Sequence, residues 1–75
     1  MKEMNELDFL NEQLDFFCKN KVKVHLDLKD GMWLNGNVLK NIKQDIWWMK
    51  EDKLGEVFLF TKTIAKLQQF IKKEE

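Results

Sequence analysis

Near residue 20 the hydrophobic pattern changes its period, and that change decides the fold class. Over residues 5–18 the apolar residues Leu7, Leu10, Leu14 and Phe17 recur at intervals of three and four, which places them on one stripe of a helix. Phe9 and Phe16 fall beside this stripe and are expected to widen it. Asn5 is suited to cap the helix start, and the acidic residues of the first turn suit the positive end of the helix dipole. Lys19 and Asn20 suit its end, asparagine because it tolerates a left-handed backbone. From Val22 the interval becomes two. Val22, Val24, Leu26 and Leu28 alternate with Lys21, Lys23, His25, Asp27 and Lys29, the pattern of a half-buried strand.

Asp30-Gly31 follows at once and predicts a tight hairpin turn, since glycine accepts a positive φ. A second strand is expected from about Met32 to Lys40. Gly36 lies inside it, where a glycine marks a bend, a bulge or a close backbone approach. Asn41 to Asp45 reads as a polar loop and Ile46 to Met49 as a third strand rich in aromatics. Asp52 to Glu56, with Gly55, reads as a turn, and Val57 to Phe60 as a fourth strand. For residues 64–71 periodicity leaves two readings open, a fifth strand or a short helix, because Ile64, Leu67, Phe70 and Ile71 also fit helical spacing. The tail Lys72 to Glu75 is expected to fray. A helix followed by short, evenly spaced antiparallel strands suggests a small, strongly bent barrel.

At 75 residues the chain has room for one domain, near the lower limit of size for independent stability. Cys18 is the single cysteine, so no intrachain disulfide is available, and Cys18 with His25 gives too few ligands for structural zinc. Oligomerisation is the remaining support. The lack of a disulfide framework fits a reducing, cytoplasmic setting, and no apolar run or signal-peptide core predicts a membrane role. The formal net charge is zero, which argues against a uniformly basic nucleic-acid binder. That zero is divided: residues 1–18 carry −4, residues 19–50 carry +4, and residues 51–75 balance. The divided charge reads either as ordinary solvated surface or as two faces of opposite potential.

The segment Val22-x-Val24-x-Leu26-x-Leu28-Lys29-Asp30-Gly31-x-x-Leu34-x-Gly36-x-Val38 resembles the first motif of the Sm-like family, which includes the Sm and LSm proteins and bacterial Hfq. The stretch Gly55-x-Val57-Phe58-Leu59-Phe60-Thr61-Lys62-Thr63-Ile64 is similar to the second motif in its hydrophobic pattern. The resemblance covers about residues 5–71. It implies one Sm-like domain over residues 1–75, mainly β: a strongly bent, five-stranded antiparallel barrel over about 21–71 behind an N-terminal α-helix over about 5–18. It also implies a homo-oligomeric ring, hexameric or heptameric, in which the fourth strand of one subunit pairs with the fifth of the next. Family members bind single-stranded RNA through the loop after the second strand and the turn between the last two strands. Carried onto this chain, those positions are Lys43, Gln44, Trp47 and Lys62. Lys43 stands in the place of a family Asp and Trp47 in the place of an Asn, while Thr61-Lys62 replaces Arg-Gly or Lys-His. Only Gln44 and Lys62 retain the family's chemistry.

The expected function is therefore weakly sequence-specific binding of single-stranded RNA by a ring. The alternative is a ring-forming scaffold or protein-interaction module that has lost RNA binding. With thirteen lysines and no arginine, the chain offers point charges and no bidentate fork, so RNA binding would depend strongly on salt. Trp47 and Trp48 must point to opposite faces of their strand; an exposed tryptophan beside lysines is a base-stacking platform, and a buried one is core or interface. No enzyme is expected. The chain has no serine, and Cys18 sits at the helix C-terminus, where the dipole opposes a thiolate. Asp27, Asp30 and Asp45 read as solvated acids next to lysines, with neither metal nor cofactor implied.

Overall fold

The computed structural model describes residues 5–71. It consists of helix α1 (Glu6–Lys19), strands β1 (Lys23–Leu28), β2 (Trp33–Lys43), β3 (Ile46–Glu51) and β4 (Gly55–Phe60), a 3-10 turn at Thr61–Thr63, and strand β5 (Ile64–Gln69). The first four residues and the expected frayed tail, Lys72 to Glu75, lie outside the described residues. Asn5 caps α1 as expected, its side chain accepting from the Asp8 backbone N–H at 2.8 Å. The helix end differs from expectation. Asn20 stays at φ −94°, and Lys21 takes the left-handed position at φ 55°. Val22 N–H then bonds back to Phe17 C=O and Lys21 N–H to Cys18 C=O, the paired bonds of a Schellman stop.

All five strands form one antiparallel sheet in the order β4-β3-β2-β1-β5. Residues 64–69 are thus a strand, because pairing with β1 supplies the hydrogen bonds that a short isolated helix would have to make alone. The connection from β4 to β5 shows that the sheet is curled. These are the two outer strands, and in a flat sheet four gaps of roughly 4.8 Å would hold them about 19 Å apart. Phe60 and Ile64 are only four Cα steps apart, a reach of about 14 Å at most. The sheet must bend back on itself, as the expected small barrel requires.

The bend passes through β2. This strand pairs with β1 over Trp33–Asn37 and with β3 over Gly36–Lys43, so it belongs to both halves of the barrel. Gly36 lies at the overlap, and a Cβ there would run into the Lys50 carbonyl oxygen. The strand also runs on past its expected end at Lys40 to Lys43, with register shifts at Val38/Lys40 and Asn41/Lys43. The expected loop over Asn41 to Asp45 is therefore a tight turn at Gln44-Asp45, with Asp45 at φ 65°.

The core is built from the inward side chains of every strand: Val24, Leu26, Leu34, Val38, Trp47, Met49, Leu59 and Ile64. Leu10 and Leu14 of α1 close one end. The helix packs chiefly on β2 and the 3-10 turn, so only a narrow seam of it is covered. Phe9 and Phe16, expected to widen the buried stripe, are 54% and 59% exposed for that reason.

Candidate nucleic-acid interface

The two turns expected to carry binding residues meet at the helix-capped end of the barrel. The Thr61 N–H donates to the Asp45 C=O at 2.9 Å, so Gln44 and Lys62 flank a direct hydrogen bond between the turns. Asn41 holds the first turn in shape, its side-chain amide donating to the carbonyls of Lys43 and Ile46 at 2.9 and 3.0 Å. Lys43, Gln44 and Lys62 are all exposed. Lys62 also lines a groove of about 500 Å³ between β4 and the β1–β2 turn, beside Leu28, Lys29, Phe58 and Phe60.

Trp47 is placed differently. It is 3% exposed in the core, and its indole N–H donates to Asn11 Oδ1 at 2.9 Å. Neither ring face is open to a base. Trp48, on the opposite face of β3, is half-buried and lies 6.4 Å from the Phe58 ring. Trp33, at the other end of the barrel, is exposed beside Lys53.

Asn11 ties this end together, and sequence reasoning missed it. Besides Trp47, its Oδ1 accepts from the Thr61 hydroxyl at 2.7 Å, and its amide donates to the Asp45 carboxylate at 2.6 Å. One side chain of α1 therefore fixes both turns and β3. A signal was available: residue 11 lies four after Leu7 and three before Leu14, so a polar residue occupies the buried stripe.

Glu51 is the second missed residue. It follows Trp47 and Met49 on the inward side of β3 and is 5% exposed. Its carboxylate accepts from the backbone N–H groups of Asn35 (3.0 Å), Lys53 (2.7 Å) and Leu54 (2.8 Å). The Asn35 bond above all holds the carboxyl below its ordinary pKa, helped by the bonds from Leu54 and Lys53 and opposed by burial. This acid pins the β3–β4 turn to β2 and is structural. Burial, followed by the nearby Asp15 charge, pushes the Cys18 thiol up, and its Sγ sits 3.4 Å from the Leu39 carbonyl. His25 bonds instead to Asn35 and Asp27 on the outer face of β1. Among the described residues no group of three His, Cys, Asp or Glu side chains gathers as metal ligands, and no helix is long and apolar enough to cross a membrane.

Fold and site together define a class: a small, strongly curved five-stranded barrel with an N-terminal helix and two adjoining exposed turns. Compared with protein-family models and with curated proteins, the chain matches none.

Proposed function

We propose that this chain is an Sm-like, ring-forming domain that binds single-stranded RNA in the cytoplasm with weak sequence specificity and performs no catalysis. The observation that carries the reading is the Thr61–Asp45 hydrogen bond, which brings Gln44 and Lys62 to one place, with Lys43 adjoining. The lysines serve as phosphate contacts and Gln44 as a donor and acceptor toward a base edge. Subunits join through the outer strands. Among the described residues β4 pairs only with β3 and β5 only with β1, so each offers an open row of backbone donors and acceptors. Pairing β4 of one copy with β5 of the next closes a hexamer or heptamer and satisfies both edges.

The test is fluorescence anisotropy with labelled oligo-U and oligo-A at low salt, alongside light scattering for assembly mass. Binding is expected at a micromolar Kd or tighter and is lost as salt rises. Lys43→Glu with Lys62→Glu should weaken it at least tenfold, on the order of 1.4 kcal/mol or more. Absence of any anisotropy change with either homopolymer would refute RNA binding, and a monomer at all concentrations would refute the ring.

The burial of Trp47 favours the second reading, a ring-forming scaffold for protein partners, because it removes the base-stacking platform from these turns. Partners that co-purify with the assembled ring and survive nuclease treatment would distinguish it.

A further inference from the structure

Two surfaces carry exposed aromatics, the first of them adjoining the RNA turns through Lys43, and their charges are opposite. The first is the outer face of β2, β3 and β4. Because Trp47, Met49 and Leu59 point inward, the alternate residues Ile46, Trp48, Phe58 and Phe60 point outward. The register places Lys40 beside Trp48 and Trp48 beside Phe58 in one row, and Lys43, Ile46 and Phe60 in the next. Phe58 is 65% exposed and Phe60 44%. Lys50 completes the set with Glu56 across from it, so three lysines stand against one acid.

The second surface is the outer side of α1. Phe9, Glu12 and Phe16 are spaced by three and four, so they form one exposed stripe. Glu6 is also exposed, and Asp15 is paired with Lys19 at 2.9 Å. The helix segment carries four acids against one lysine. Each surface therefore joins an aromatic pair to a charge: Glu12 lies between two phenylalanines on the helix, and Lys40 stands at the end of the Trp48–Phe58 row on the sheet. Leaving four phenylalanines of so small a domain in water is unfavourable, and covering each pair with the other removes apolar area from both at once.

We propose that the outer face of α1 in one copy docks on the outer face of β2–β3–β4 in a second copy, phenylalanines packing together and Glu12 meeting Lys40. The two surfaces differ, so the contact is heterologous and passes from copy to copy. It is compatible with edge pairing. A strand added to β4 lies in the plane of the sheet, whereas these side chains stand perpendicular to that plane. The contact goes beyond the ring reading and does not depend on it.

A charge-swap cycle in sedimentation equilibrium tests it. In the wild type, association should contain a step that weakens as salt rises from about 0.05 M to about 0.5 M, because attraction between exposed charges is screened. Glu12→Lys and Lys40→Glu alone should each weaken that step at least fivefold. The double variant, which restores opposite signs with the roles exchanged, should return to within twofold of the wild type. Circular dichroism checks that each variant remains folded. Single variants that associate like the wild type, or a double variant weaker than either single, would overturn the proposal. So would a Lys40→Glu variant that loses RNA retention while self-association is unchanged, since the sheet face would then belong to nucleic acid. Mass that persists at high salt reads β4–β5 pairing separately, so either contact can fail without the other.

Discussion

Replacing Glu51 by glutamine tests how a buried carboxylate holds this barrel together. The carboxylate accepts three backbone N–H bonds at 2.7 to 3.0 Å, two on Oε1 and one on Oε2. Hydrogen bonds to a charged group contribute roughly 1.5–3 kcal/mol each, and a buried donor left unpaired costs about 1–3 kcal/mol. Glutamine keeps one acceptor oxygen and turns an N–H₂ toward either Asn35 or the Lys53–Leu54 pair, so at least one contact becomes donor against donor. The expected loss is about 2–3 kcal/mol at pH 7, which at about 4–8 °C per kcal/mol for a domain of this size lowers Tm by roughly 10–20 °C. The sign of the pH dependence follows from the lowered carboxyl. The stabilisation is fully present above the unfolded glutamate pKa of about 4.3 and disappears as pH falls through the lower folded value. The gap between wild type and variant should therefore be widest at neutral pH and should narrow below about pH 4. Urea melts followed by tryptophan fluorescence at one protein concentration, from pH 7 to pH 3, measure it. A gap under about 0.5 kcal/mol, or one that stays constant over that range, would refute the assignment of the three bonds to an ionised Glu51.

Other positions give sharper yes-or-no outcomes. Gly36→Ala puts a methyl group into the Lys50 carbonyl, and unless β2 and β3 separate the barrel cannot close; a loss of at least about 3 kcal/mol in urea melts is expected. Lys21→Gly relieves a left-handed lysine, with strain of roughly 1–2 kcal/mol against a smaller entropic cost, so thermal melts should show a variant more stable by up to about 1 kcal/mol. Asn11→Ala leaves the buried indole N–H of Trp47 and the Thr61 hydroxyl without their acceptor, and should cost about 2–4 kcal/mol by the same assay. The same substitution should weaken oligo-U binding while Lys43, Gln44 and Lys62 are all intact, since it unpins the turns that carry them.

The parts of the fold that are legible in the amino-acid sequence are those decided by side chains a few residues apart. The helical stripe and the alternation over residues 22–28 are local patterns, and so are the glycine turns at Gly31 and Gly55, both of which take positive φ. Gly36 stands out for the same reason, as a residue out of place inside a strand. What the sequence does not disclose depends on partners distant along the chain. Residues 64–69 fit helix or strand equally well until β1 supplies the hydrogen bonds. Exposure of Phe9 and Phe16 depends on how little of α1 the barrel covers, and spacing along the helix carries no information about that. Of the proposed site, Gln44 and Lys62 lie in exposed turns, whereas Lys43, expected in the loop, is the exposed last residue of β2. Trp47 shares the inward face of β3 with Met49 and Glu51, and its indole N–H finds an acceptor there on Asn11, a residue 36 positions away.

Asn11 and Glu51 stabilise opposite kinds of boundary, and together they account for how so short a chain keeps an open-edged barrel in shape. Glu51 accepts from backbone donors at the β3–β4 turn, a place where the ladder ends and these N–H groups have no strand partner. Asn11 does the equivalent at the other end for side chains, linking the helix to Asp45, Trp47 and Thr61. Neither device closes the seam between β4 and β5, which is left with backbone groups and exposed phenylalanines. With these polar networks at the ends of the barrel, the outer backbone groups of β4 and β5 are left, among the described residues, as the edge at which the proposed strand pairing would occur. The charge division continues on the flanking faces: α1 carries four acids against one lysine, and the outer face of β2, β3 and β4 carries Lys40, Lys43 and Lys50 against Glu56, so in the proposed docking each face would meet its complement on a second copy.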